Sequence, residues 1–188
     1  MARKVAPPPS DPPSGSSNQV TIVTDRGSVP VTLDPSQAPC AVNSLLSLAK
    51  QGYFDNTRCD RLTHSATLSL LQCGDPSNTG QGGPGYLFAD ELVDRDPRLQ
   101  PCYGQVDPST GRQICTYNAG TVAMANAGPD TNGSQFFLIY RNSVLPAAYT
   151  VLGQMSAAGL KVVQSIARAG TVPGSEQPRQ PVTITSLG

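Results

Sequence analysis

The chain has 188 residues, room for one domain with a tail, and 13 basic residues balance 13 acidic ones, which argues against a general binder of nucleic acid or anionic membrane. Charged residues make up only 14%, while there are 18 glycines and 18 prolines. Average usage of those two together is about 12%, so a helical bundle or coiled coil is excluded and short strands joined by turns are favoured.

Residues 1–18 contain five prolines and four serines and almost no large apolar side chain. Such a segment cannot bury a core and reads as a disordered or polyproline-like tether. It has no apolar stretch of the signal-peptide kind, and nowhere does an apolar run approach the roughly 18 residues of a membrane span. The expected division is therefore a tether, 1–18, and a folded domain, 19–188. A tether like this reads either as the remnant of a longer, anchored protein or as a native floppy terminus.

Apolar residues then alternate through Val20 and Ile22, break at Asp25-Arg26-Gly27, and alternate again through Val29, Val31 and Leu33. This is a hairpin with one apolar face. A helix follows, with Pro39 in its first turn. Val42, Leu45, Leu46 and Ala49 share one stripe, and Gly52 is a left-handed stop. Strands are then predicted at Thr57–Thr63, Thr67–Gln72, Thr121–Ala125, Gln135–Tyr140 and Tyr149–Gly153. A second helix runs from about Ala157 to Ala169, and Pro181–Leu187 is a last strand. Eight short strands without a βαβ rhythm predict an antiparallel sheet, and closure into a barrel would remove its edges. The stretch Gly74–Tyr117 shows little periodicity and is too long for mere connection, so it is expected to form functional surface.

One histidine, His64, and five cysteines without a CxxC pair make a zinc site a poor reading. Cys102 and Cys115 flank a turn-rich stretch, and Cys59 and Cys73 lie on successive strands, so either pair could form a disulfide. Five free thiols in a reducing cytosol is the equal alternative at this point. Gly80–Gly85 lacks the Lys-Ser/Thr of a phosphate loop. Asp90, Glu91, Asp94 and Asp96 read as a solvated acidic loop ahead of a calcium site, and His64 as a surface residue.

The segment MANAGPDTNGSQFF, Met124–Phe137, is long and specific. With GYFDNT at Gly52–Thr57, Arg61, LQCGDP at Leu71–Pro76, Phe88-Ala-Asp-Glu91 and Tyr149-Thr-Val-Leu-Gly153, it resembles the cyclophilin family of peptidyl-prolyl cis/trans isomerases over about Gln19–Gly188. The LQCGDP form and the Pro-rich tether look most like the extracytoplasmic, membrane-anchored branch of actinobacteria. The resemblance implies a mainly β fold, a closed eight-stranded antiparallel barrel capped by two α-helices. It implies rotation about Xaa-Pro bonds in proline-containing polypeptides, assistance to protein folding, no cofactor and no metal. No nucleic-acid partner is expected, and the protein is expected to act as a monomer.

By position, Arg61 matches the family's catalytic arginine. Phe137 and Leu145 match the apolar floor for the proline ring, and Gln72 and Gln135 match amides that hold the substrate backbone and the arginine. Ala125, Asn126 and Ala127 match the groove wall, and Leu70 stands where many relatives have Met or Phe. Tyr149 replaces the family's pocket histidine. Val144 replaces its tryptophan, which implies weakened binding of cyclosporin A. Ser69 replaces a pocket aromatic. Asp60 replaces a histidine and is expected either to pair with a base such as Arg58 or to be solvated. The runner-up is a catalytically weak module of the cell envelope that binds proline peptides as an adaptor. The expected location is the bacterial cell envelope, outside the cytoplasm; five free thiols would move it to the cytosol.

Overall fold

The computed structural model describes residues 5–10, 18–94 and 96–188. Of the segment read as a tether, residues 1–4 and 11–17 lie outside the described residues. Residues 5–10 run along the first helix. Val5 packs against the core, the Gln51 amide bonds both the N–H and the C=O of Ala6 at 2.8 and 3.1 Å, and Asn43 Nδ2 donates to the Pro9 carbonyl at 2.7 Å.

The domain opens with β1, Gln19–Thr24, and β2, Gly27–Leu33, paired as a hairpin. Val20, Ile22, Val29, Val31 and Leu33 are all buried, because alternate residues of a strand share a face. Helix α1, Pro39–Lys50, starts on its proline. It ends with Gly52 at φ 64°. There Gly52 N–H donates to the Ala49 carbonyl and Tyr53 N–H to that of Leu48, the paired bonds of a Schellman stop. The buried face of α1 includes Leu48, which the expected stripe left out, while Leu46 and Ala49 are only half-buried.

The remaining strands are β3, Thr57–Arg58; β4, Arg61–Leu62; β5, Leu70–Cys73; β6, Leu99–Val106; β7, Gln113–Tyr117; β8, Thr121–Met124; β9, Phe136–Ile139; β10, Ser143–Pro146; β11, Val151–Met155; and β12, Thr183–Leu187. Nine form one sheet in the order β3-β12-β1-β2-β11-β8-β9-β5-β4, and every pairing is antiparallel. Its first and last members belong to one stretch, 57–62, which pairs with β12 on one side and with β5 on the other. The sheet therefore curls round until its ends meet on a single strand interrupted at Cys59-Asp60. The eight staves so defined are the eight strands expected from the sequence. Helix α2, Ala157–Arg168, is N-capped by the Ser156 hydroxyl and lies on β2. Gly159 permits the close approach, since a Cβ there would stand 3.0 Å from Val29 Cγ1. The barrel interior holds one core, centred on Phe54, Leu62, Leu71, Met124, Phe136, Leu138 and Leu152.

Three strands were not expected. β10, β7 and β6 form a separate sheet, and they pack on the outside of the barrel through a second apolar cluster that includes Leu99, Cys115, Tyr117, Phe137 and Ile139. The observed β5 is shorter than Thr67–Gln72, and β11 begins two residues later than Tyr149. Among the described residues no helix is long and apolar enough to cross a membrane.

Candidate active site

Directly opposed residues in neighbouring strands project from the same face. Arg61 pairs with Gln72, Gln72 with Phe137, Phe137 with Ala123, and Ala123 with Val151. The row runs across β4, β5, β9, β8 and β11 on the outer face of the barrel. A polar chain crosses it. Arg61 Nε donates to Glu176 Oε2 at 2.7 Å and its NH1 to Gln72 Oε1 at 3.3 Å. Gln72 Nε2 donates to Gln135 Oε1 at 2.8 Å. Gln135 Nε2 in turn donates to the carbonyls of Gly80 and Gly82 at 3.1 and 2.9 Å.

Beside this chain lies an apolar wall. Leu70 and Phe137 are buried, with Ala125, Leu145 and Tyr149 half-buried against them. The rings of Phe137 and Tyr149 meet edge to face at 5.4 Å, and Tyr117 closes an aromatic triangle at 6.4 and 6.3 Å from the two, an arrangement ring quadrupoles favour. Burial pushes the Tyr149 phenol above its usual value of 10, opposed by the positive charge of Arg61. The arginine and the aromatic wall share the outer face of the sheet, on one register line of adjacent strands.

An open groove of about 1090 Å³ continues from here, lined by Gln72, Gly80, Gly82, Tyr86, Ala125 and Gln135 among others. Asn126 and Ala127 form its far wall. The Asn126 side chain is tied to the Ala148 carbonyl at 3.1 Å, which orients its peptide unit. Its backbone N–H and C=O make no hydrogen bond to the described residues and are available to an extended peptide. The loop that walls the groove is organised by Asp75, which is fully buried. Its carboxylate accepts from the N–H and hydroxyl of Ser77 and the N–H of Thr79 at 2.7, 2.6 and 2.9 Å. Gly74, at φ 94°, fits because a Cβ would run into the Ser134 carbonyl.

Residues 19–188 match the family model described as "Cyclophilin type peptidyl-prolyl cis-trans isomerase/CLD". The chain belongs to the cyclophilin family. It is similar to the "Probable peptidyl-prolyl cis-trans isomerase B" of Mycobacterium tuberculosis, 48% identical over 181 residues, covering 95% of this chain and 56% of that protein. The protein of the same name from Mycobacterium leprae is 46% identical over 193 residues, covering 99% and 62%. The chain thus spans little more than half the length of these relatives. Among solved structures, a Cryptosporidium parvum cyclophilin type peptidyl-prolyl cis-trans isomerase in the presence of the dipeptide Ala-Pro matches with TM-score 0.69 and 28% identity, over 90% of this chain and 96% of that one.

The positions expected to depart from the family pattern have the following settings. Ser69 is buried, and its hydroxyl accepts from Arg141 Nε and NH2 at 3.1 and 2.9 Å. Asp60 does not pair with Arg58. It is half-buried, burial raises its pKa, and nearby Asp75 raises it further while Arg61 opposes the rise. Val144 is half-buried in mid-strand, with its N–H on the Thr67 carbonyl at 2.7 Å. The structure joins Cys59 to Cys73 and Cys102 to Cys115, leaving Cys40 free and exposed.

Of the acidic run, Asp94 is exposed as expected, while the other three carboxylates are bonded within the fold. Asp90 accepts from Asn132 Nδ2 and the Asp130 N–H at 2.7 and 2.9 Å, Glu91 caps α1 through the N–H groups of Cys40 and Ala41, both at 2.9 Å, and Asp96 forms a bidentate pair with Arg98 at 2.8 and 2.6 Å. His64 is exposed and reaches Tyr140 Oη through Nδ1 at 2.9 Å. Because the tyrosine hydroxyl donates to the Thr63 carbonyl at 2.6 Å, the histidine Nδ1 carries the hydrogen. Sequence reasoning missed Glu176. Its only signal was a carboxylate in a polar stretch, with nothing local to tie it to a residue 115 positions away.

Proposed function

We propose that the chain catalyses cis–trans rotation about Xaa-Pro bonds in extended polypeptides and thereby assists their folding. Rotation about a peptide bond meets a barrier of ~18–20 kcal/mol. Turnover of about ten per second requires a barrier near 16 kcal/mol, so at least ~4 kcal/mol must be removed. As the bond twists, the lone pair localises on the proline nitrogen, and a charged N–H aimed there contributes about 1.5–3 kcal/mol. The dry, preorganised wall beside it supplies the rest.

The observation that carries this reading is the alignment of Arg61, Gln72 and Phe137 on one register line of three adjacent strands. In this reading Phe137 and Leu145 receive the ring, and Asn126 pairs with the substrate backbone. The Ala-Pro dipeptide that accompanies the Cryptosporidium structure fits the same substrate class. A coupled-protease assay on an Xaa-Pro tetrapeptide tests it. Arg61→Ala should lower kcat/KM about 10- to 100-fold, the equivalent of one charged hydrogen bond. Arg61→Lys should lose most of the activity as well, because a point ammonium does not match the fork. A wild-type rate equal to buffer, with peptide binding retained, would establish the adaptor reading instead.

The missing tryptophan should weaken cyclosporin A. Fluorescence-polarisation competition is expected to give an affinity well short of nanomolar, and a nanomolar value would refute it. The two disulfides support a place outside the reducing cytoplasm, in the bacterial cell envelope.

A further inference from the structure

We infer that Glu176 is a positioning residue for Arg61, an inference that rests on the reading of Arg61 as the catalytic donor. Glu176 lies in the segment between α2 and β12. That segment is folded back on itself by the bridge between Thr171 and Pro178 and by bonds from Val172 N–H to the Gln177 carbonyl and from Ser175 N–H to the Val172 carbonyl, at 2.9 and 3.0 Å. Its main chain is then tied to β4, where Leu62 N–H donates to the Glu176 carbonyl at 2.6 Å. The carboxylate is therefore delivered to Arg61 by a fixed backbone.

The guanidinium has five N–H donors in a rigid plane. Glu176 takes the Nε–H at 2.7 Å, and Gln72 takes one hydrogen of NH1 at 3.3 Å. Gln72 is itself held by Gln135, and Gln135 by two carbonyls of the groove loop. Two acceptors on two edges define the plane, and the NH2 group has no hydrogen-bond partner among the described residues. A carboxylate on the terminal nitrogens would block the substrate; on Nε it orients without blocking. The pair does little for folding, because its side chains are 41% and 57% exposed and exposed ion pairs contribute little. Holding a long side chain in its productive rotamer acts on the reaction step instead.

The test is a double-mutant cycle with Arg61→Ala, Glu176→Ala, Glu176→Gln and the Arg61→Ala/Glu176→Ala double variant. The kcat and KM of a proline tetrapeptide are measured by NMR exchange, with a thermal melt for each protein. Glu176→Ala should lower kcat about 5- to 20-fold and leave KM within about 2-fold, since misorientation penalises the transition state more than binding. Glu176→Gln, which keeps an acceptor oxygen, should recover to within about 3-fold of wild type by the same argument. Melting should be unchanged, because the Leu62 bond uses main chain only. In the Arg61→Ala background, removing Glu176 should change nothing. A Glu176→Ala rate equal to or above wild type overturns the proposal, as does a further loss in the Arg61→Ala background. If Arg61→Ala itself keeps the wild-type rate, the arginine reading fails and carries this one with it; if only Glu176→Ala is silent, this inference alone fails.

Discussion

The two walls of the candidate site are built differently. Arg61, Gln72 and Phe137 project from consecutive barrel strands, so their spacing is set by the ladder that also closes the barrel. Leu145 and Val144 come from β10, which pairs only with β7 of the outer sheet, and the register of β6 on β7 is interrupted twice. Side chains on the barrel strands are fixed by a continuous ladder, while those of β10 hang on an added layer whose own pairing is irregular.

Each wall has one disulfide, and this is the sharpest place to break the comparison. The bridged cysteines are 14 residues apart in the barrel wall and 13 in the outer sheet. Loop-closure entropy is then nearly equal, about 3 kcal/mol for each. Replacing either pair by alanines should lower the melting temperature by roughly 6–12 °C. Activity should separate them. Cys59 and Cys73 flank the paired residues Arg61 and Gln72 and are themselves buried, so their loss should reduce kcat/KM more than about 10-fold. Cys102 and Cys115 lie across from Leu145, and their loss should reduce it less than about 3-fold, a change in apolar packing alone. Equal losses in the tetrapeptide assay would erase the distinction between the walls.

A smaller effect tests the same contrast through two copies of one turn. Asp75-Pro-Ser stands in the barrel wall and Asp107-Pro-Ser in the outer hairpin. Burial pushes the Asp75 carboxyl up, yet the bonds from Ser77, Gly82 and Thr79 outweigh it and hold the pKa at about 2. A folded pKa below the unfolded value stabilises above that unfolded value, about 3.9, and the contribution is lost as pH falls through the folded one. Asp75 should thus contribute about 2 kcal/mol above pH 4 that disappears toward pH 2. Asp107 is likewise lowered, by its hydroxyl bond from Ser109 first, but water surrounds it and screens the effect. Urea midpoints between pH 5 and 2 should lose their slope in Asp75→Asn and keep it in Asp107→Asn. The reverse pattern would show that burial does not decide the contribution.

The same contrast explains what could be read from the sequence. The eight barrel staves and both helices announced themselves, through alternation as in β2, a helical stripe as in α2, or short apolar runs buried on both faces as in β8 and β9. The outer sheet did not. β6 is exposed at six of its eight positions, so no alternation marks it, and Pro101, Gly104 and two register shifts break what pattern there is. Its one trace was the spacing of Cys102 and Cys115, which are direct cross-strand partners. In the site, Arg61, the two glutamines and Phe137 were legible through the resemblance. Glu176 and the Glu91 cap were not, because each acts through a long-range bond from a loop.

The smallest effect expected is none at all. Rotation about an imide bond transfers no proton to the protein, so the rate should be nearly flat between pH 6 and 8. A guanidinium does not titrate in that range. Tyr149 stays neutral, because burial lifts its phenol above 10. On the barrel wall the group that could disturb this is Asp60, adjacent in sequence to Arg61, half-buried, with its pKa raised by burial and Oδ1 unpartnered among the described residues. Its carboxylate would draw on the arginine's field. A limb in the rate profile that vanishes in Asp60→Asn would mean that this neighbour tunes the donor, and that the barrel wall is not electrostatically fixed across the working range. A limb that survives in Asp60→Asn would instead require a proton-transfer step, which a purely electrostatic mechanism does not contain.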